Sequence, residues 1–396
     1  MFFSLVTLGS YSTVLLLSIC LVSSASDSQA VFARLIVFLA LLIGIVFQWQ
    51  RSQHNRATTA APCELIELMK SKVLAVRLCI VTLIVFSTIM NQVFGNWPGA
   101  TFNFDYLLAL PLLLLIVPWY VRWAERISPS GCDSYARLGQ LILRQRRWQW
   151  SEQKELLLAW LVKLIFIPLM YSWLMMATED LLAFDWALAP SPLIMGLFMY
   201  GLAADLLIAT AGYLFATRLL GNAVISTDKS WSGWLICLLC YPPLIWIYQQ
   251  VKQQTTDLIW TDWLQPDQFL FWFWAAAVTL TWIMYWLSTL HFGLRFANLS
   301  WRGLVSTGPY RWVKHPAYLS KNLYWWLYLV PFYGVTNSYE LTRNLLGLCF
   351  VSLVYFLRAH TEERHLMQFA EYCSYVDHIR NHGLLARIKR WCGIHA

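Results

Sequence analysis

Charge is what this chain has least of. Only 13% of its 396 residues are Asp, Glu, Lys or Arg, about half the roughly 25% of soluble domains, which excludes an ordinary water-soluble protein. No basic residue precedes the first apolar run (Met1-Phe2-Phe3-Ser4), so no cleavable signal peptide is expected and that run should be retained. Cysteine forms no pattern: the nine residues are scattered, and Cys237 and Cys240 have neither a second pair nor a nearby histidine. They read as small buried hydrophobes, not as a metal motif. His360 and His365 lie five apart, without the ligand spacing of a zinc helix, so no metal is expected. The net charge of +8 is spread over loops between apolar runs. A nucleic-acid partner would call for a basic stripe instead, and is excluded on that ground.

What is abundant is apolar and aromatic. Hydrophobic residues make up 59% of the chain, with 23 Trp and 19 Tyr, rings suited to membrane–water interfaces. A helical span needs about 20 mostly apolar residues. Candidates lie near 3–23, 31–50, 72–94, 103–122, 155–177, 193–217, 232–249, 268–290, 318–335 and 342–359. They predict an all-α, multi-pass membrane helical bundle of about ten transmembrane helices. Loop charge alternates along the chain. Arg51, Arg56, Lys70 and Lys72 fill one loop, and Asn96 to Asn103 has no Lys or Arg. Arg122 to Lys154 has seven basic residues, and the next loop carries Glu179, Asp180 and Asp185. Asp257, Asp262 and Asp267 outnumber Lys252, and the tail ends on Arg387, Lys389 and Arg390. By the positive-inside rule both termini are cytoplasmic, in an inner membrane if the source is bacterial and in the endoplasmic reticulum if it is eukaryotic.

Ser134 to Gln153 is expected as a basic amphipathic helix on the anionic leaflet, with Leu138, Leu141 and Ile142 against Arg137, Arg144 and Arg147. Asp205 sits inside an apolar span, where a carboxylate is costly and a functional candidate. Arg218 to Asn222 ahead of Ser226-Thr227 faintly echoes Arg295 to Asn298 ahead of Ser306-Thr307, a hint of an internal repeat. Residues 1–265 form a membrane region without a readable motif, and residues 266–396 form the part that has one.

That part holds two polar patches, each at the end of an apolar run. The first is Gly308-Pro309-Tyr310-Arg311-Trp312-Val313-Lys314-His315-Pro316-Ala317-Tyr318, followed by Lys321. Gly-Pro starts a turn, His315 before proline is biased away from helix, and Pro316 suits a helix's first turn. The second is Arg358-Ala359-His360-Thr361-Glu362-Glu363-Arg364-His365, with Tyr372 and Tyr375 beyond it. Arg358 and Glu362 share a helix face, as do Glu362 and His365. Carboxylates for an ammonium or ribose hydroxyls, cations for a carboxylate, and aromatic faces for a soft cation together suit S-adenosylmethionine. A salt-bridged cap with a snorkelling Lys321 is the alternative from residue chemistry alone.

Order and spacing of these residues resemble the C-terminal core of the isoprenylcysteine carboxyl methyltransferase and phospholipid methyltransferase superfamily. The pattern there is a Gly-x-Tyr turn, Arg-His-Pro-x-Tyr, a membrane hairpin, Arg-x-x-x-Glu-Glu and a Tyr-x-x-Tyr tail. Lys314 stands where the family usually has Arg, and Ala370 lies near a usual Gly. The resemblance covers roughly the last 100 residues. It implies an integral membrane enzyme that binds S-adenosylmethionine on the cytoplasmic side and takes its lipophilic substrate from the bilayer. Carried over residue by residue, the cofactor-binding set is Tyr310, His315, Pro316, Tyr318, Lys321, Glu362, Glu363, Tyr372 and Tyr375, and the catalytic positions are Glu362 and Arg358. The acceptor is a prenylcysteine carboxylate, a phospholipid amine or a small hydrophobic hydroxyl or thiol. Two other readings stay open: an NADPH-dependent enzyme like the membrane sterol reductases, and a transporter or scaffold with a degenerate methyltransferase core. The acceptor's identity and the oligomeric state are not legible in the sequence.

Overall fold

The computed structural model describes residues 1–21, 26–53, 65–95, 97–186 and 190–392. Arg56 lies outside them. Long apolar runs have one economical backbone solution in a bilayer, the helix, because it satisfies its N–H and C=O groups internally. The chain follows that rule and divides into two compact units.

The first unit is Met1–Thr227 with Gly293–Gly303. It contains α1 (Phe2–Leu21), α2 (Ser26–Gln53), α3 (Leu65–Phe94), α4 (Ala100–Ile127), α5 (Ser134–Ile142), α6 (Trp150–Ala183) and α7 (Pro190–Leu214). A short antiparallel ribbon, β1 (Ser226–Thr227) with β2 (Ser300–Trp301), joins the returning segment, with Thr227 opposite Ser300. A short 3-10 turn, Arg218–Leu220, opens the first echoing segment, another, Gly293–Arg295, ends on the first residue of the second, and Asn222 donates to the Leu294 carbonyl. The strand partner of Ser226-Thr227 is thus Ser300–Trp301, ahead of the Ser306-Thr307 that the echo singled out. Helix α6 forms the unit's core, with Phe166, Leu169, Leu174 and Leu181 wholly buried. Asp205 is buried within α7.

The expected surface helix from Ser134 to Gln153 is interrupted. Asp133 caps α5 by accepting from the Ala136 N–H, the helix stops at Ile142, and Arg144 adopts a left-handed φ of 58°. Helix α5 also packs inward: a Cβ on Gly139 would lie 1.9 Å from the Ser71 carbonyl oxygen, so only glycine permits this approach to α3.

The second unit is Asp228–Phe292 with Leu304–Ala396. It contains α8 (Trp231–Leu238), α9 (Ile245–Lys252), α10 (Trp260–Trp263), α11 (Phe269–Phe292), α12 (Pro316–Leu329), α13 (Ser338–Leu366), α14 (Ala370–His382) and α15 (Leu384–Trp391). The compact division at Thr227 therefore falls earlier than the motif-based boundary near 265.

Among the described residues eight helices are long and apolar enough to cross a membrane: α1, α2, α3, α4, α6, α7, α11 and α13. The all-α multi-pass expectation holds, but two of the ten expected spans do not form. Residues 232–249 split into α8 and α9 at Pro242-Pro243, which lack amide donors and push the preceding residue out of helix. Residues 318–335 give only α12, of 14 residues, about 21 Å against a hydrocarbon core of about 30 Å. It ends at Val330, which precedes Pro331 and has φ 36°.

Candidate active site

The site grows from a turn. Gly308 opens it with φ 61°, and a Cβ there would lie 2.3 Å from the His291 imidazole, so both conformation and space require glycine. Pro309 and Tyr310 follow in a 3-10 turn, with Tyr310 buried edge-on against Phe292 of α11 at 5.0 Å. His315, at φ −128° and ψ 64°, is outside the helical region, and Pro316 is the first residue of α12. The pre-proline bias and the proline position are both as the sequence implies.

This geometry sets His315 and Tyr318 beside the last turns of α13. The Tyr318 hydroxyl donates to Glu362 Oε2 at 2.8 Å, and His315 Nδ1 lies 4.0 Å from the same oxygen. The His315 and Tyr318 rings stack at 5.7 Å. Burial pushes the Tyr318 phenol well above its usual range, so its hydroxyl keeps the proton it donates. Burial also lowers the His315 pKa, against the raising effect of Glu362 and Glu363, so the ring is neutral at pH 7. Its Nε2 is buried with no hydrogen-bond partner among the described residues. Arg358 is 9% exposed, with its guanidinium 5.1 Å over the Tyr318 ring, 5.8 Å over Tyr241 and one nitrogen 4.0 Å from Cys237 Sγ.

Glu363 points another way. It forms an ion pair with Lys314, and both line a cavity of about 1120 Å³ with His360, Arg364, Met367, Trp312 and residues of α14 and α15. Arg364 is fixed by bonds to the Ser230 and Ser232 hydroxyls at 2.6 and 2.8 Å. Tyr372 and Tyr375 are buried on one face of α14, rings 5.7 Å apart. The Tyr375 hydroxyl donates to the Tyr310 carbonyl at 2.7 Å and so ties the tail to the turn. Burial, then the nearby charges of Glu362 and Glu363, raise the Tyr372 phenol's pKa. Lys321 is placed elsewhere: its ammonium sits 4.1 Å over the Tyr285 ring of α11.

The sequence-derived set therefore separates into a polar cluster around buried Arg358 (His315, Tyr318, Glu362), a cavity wall (Glu363), a tail anchor (Tyr375 on Tyr310) and Lys321 against α11. Three features of the site carry little mark in the sequence. Lys314 stands out there only as a departure from Arg, yet it is the Glu363 counter-ion. Cys237 and Tyr241 of the α8 region flank Arg358, and no motif marks them. Arg380, Lys389 and Arg390 add cations to the cavity, and only the basic run at the tail hinted at that.

Residues 269–368 match the isoprenylcysteine carboxyl methyltransferase (ICMT) family. The match begins with α11, ends just after α13, and takes in Tyr310, His315, Tyr318, Arg358, Glu362 and Glu363. It stops before Tyr372 and Tyr375. No curated protein and no solved structure matches the chain. The match supports a membrane methyltransferase in general terms. It covers about a quarter of the chain and leaves the first 268 residues without a counterpart.

Proposed function

We propose that this protein is an S-adenosylmethionine-dependent methyltransferase of the membrane, acting on a lipophilic acceptor. The observation that carries the reading is the ICMT-family segment whose paired carboxylates Glu362 and Glu363 stand at and beside a cavity large enough for a nucleoside-sized ligand. The residues present fit the cofactor. Glu363 offers a carboxylate to an ammonium or to ribose hydroxyls, and Arg364 and Arg380 on the same cavity suit a carboxylate. Met367, Val376, Ile379 and Trp312 supply apolar and aromatic wall. The orphaned His315 Nε2 has bonding capacity to spare beside the carboxylates.

Bound there, S-adenosylmethionine supplies an electrophilic methyl group for in-line transfer. The chain's own part is positioning and electrostatics. Arg358, held by the Tyr318 and Tyr241 faces, places a fixed positive charge within the cluster. Glu362, with one oxygen engaged by Tyr318, is the group that would take a proton from a neutral acceptor, whereas a carboxylate acceptor needs only orientation. Residues 266–396 hold the cofactor in this reading, and the acceptor's specificity is to be sought in residues 1–265. Loop charge supports cytoplasmic placement of the site and of both termini. Purified protein incubated with isotopically labelled cofactor and membrane lipid extracts should transfer label to a lipophilic species detectable by mass spectrometry. A survey of prenylated, phospholipid and small hydrophobic acceptors that finds no labelled product would count against the reading.

A further inference from the structure

Helix α15 turns one face away from the rest of its unit. Leu385, Ile388 and Trp391 are 72%, 47% and 89% exposed, and their spacing of three aligns them in one stripe. The remaining face carries Arg387, Lys389 and Arg390, and the helix contains no acid. Its rotation is fixed. The Leu384 N–H donates to the Trp312 carbonyl at 2.8 Å, and the Arg387 guanidinium lies 4.2 Å over the Trp312 ring. Its level is fixed as well, because one cavity is lined both by α15 (Leu384, Lys389) and by the last turns of the spanning helix α13 (His360, Glu363). At eight residues the helix is about 12 Å long and cannot cross a bilayer, and three cations exclude immersion in the hydrocarbon. An apolar stripe, one sign of charge and a position beside the end of a span match a single environment, the headgroup boundary.

From these features we infer that α15 is an interfacial helix whose partner is an anionic lipid surface. Leu385, Ile388 and Trp391 enter the headgroup–acyl boundary, while Lys389 and Arg390 meet lipid phosphates and Arg387 stays on Trp312. A neutral surface would engage the stripe and leave the cations unanswered. Since α15 also walls the cavity, anionic lipid should hold that wall in place and tighten ligand binding there. This consequence rests on the function proposed above; the docking itself does not.

The test uses the full chain in lipid nanodiscs, with the exposed Cys132, Cys349 and Cys392 replaced by serine. A nitroxide is attached at Ile388→Cys or at Lys389→Cys, and the same chain without an added cysteine sets the background. In phosphatidylcholine mixed with phosphatidylglycerol, the label at 388 should be open to oxygen and shielded from an aqueous nickel chelate, and the label at 389 should show the reverse. In phosphatidylcholine alone the shielding at 388 should weaken. Adding Lys389→Gln and Arg390→Gln to the 388-labelled chain should weaken lipid engagement roughly fivefold per charge removed, seen as a higher anionic lipid fraction at half-maximal shielding. Equal chelate access at both positions would overturn the inference. So would shielding independent of lipid charge, or shielding from oxygen and the chelate alike, which would identify a protein contact over the stripe.

Discussion

Each compact unit contains a charged cluster, and the two differ in how their groups are answered. In the first unit Lys72, 3% exposed, donates to Glu125 and to the Ser130 hydroxyl at 2.7 Å, with Asp133 at 3.4 Å. Ser130 in turn lies within bonding distance of Glu125 and Asp133. One ammonium there answers two carboxylates, with Lys72 and Glu125 buried and Asp133 at the edge. In the second unit Glu363 pairs with Lys314 but remains a quarter exposed on a large cavity. Beside it Glu362 takes one phenol hydroxyl, and His315 keeps a buried nitrogen without a partner among the described residues. A saturated cluster has no capacity left for a ligand and serves to lock helices together. An unsaturated one beside a cavity retains capacity, which is what a binding site requires.

That contrast can be broken by substitution, and the largest effect is expected where saturation is complete. Lys72→Ala leaves buried Glu125, and Asp133 beside it, without their cation, so it should cost about 3–5 kcal/mol of stability. Thermal unfolding in detergent would show the loss, and ligand affinity of the surviving folded protein should be unchanged. A comparable loss of ligand affinity would erase the distinction.

Glu363→Gln should do the opposite. Its ion pair is partly solvated, so stability should change by no more than about 1 kcal/mol. Binding of S-adenosylmethionine should weaken by about 1.5–3 kcal/mol, the contribution of a hydrogen bond to a charged group. Titration calorimetry beside a melting curve separates the two outcomes.

His315 sharpens the comparison through pH. Its folded pKa lies below the usual 6.5 because burial disfavours the cation, despite the opposing charges of Glu362 and Glu363. Above pH 6.5 folded and unfolded chains are both neutral at this ring, and its contribution to stability is intact. As pH falls below 6.5 the unfolded chain takes up the proton first, so stability declines until the folded pKa is passed. His315→Gln should flatten that acid-side decline in melting temperature, which sets in below about pH 6.5. An unchanged slope would assign the decline to other groups.

Asp205→Asn carries the smallest expected change, because the residue lies in α7 of the first unit and outside the family match. Cofactor affinity should equal that of the parent. Turnover lost with binding preserved would assign Asp205 to the acceptor's recognition.

Much of this was readable in the residues. Apolar length announced the long spans, since a bilayer leaves the backbone few choices. Gly308, His315 and Pro316 announced the turn, because glycine and proline act on backbone locally. What resisted reading depended on neighbours distant in sequence. Pro242-Pro243 in a run otherwise apolar enough to span, and Pro331 at the end of another, show how one or two residues shorten an apparent span. The buried packing of α5 turns on Gly139 meeting a carbonyl of α3, which no periodicity records. Lys314 as the Glu363 counter-ion, and Cys237 and Tyr241 around Arg358, come from separate elements brought together by folding. Lys321 had the right charge one turn from Tyr318, yet its ammonium lies against Tyr285.

Calorimetry of the purified full chain reads directly whether the proposed site in the second unit takes S-adenosylmethionine. Saturable binding of S-adenosylmethionine and of its demethylated product is expected, with no binding of NADPH. Heat of binding from NADPH, with none from S-adenosylmethionine, would contradict that expectation and favour a reductase.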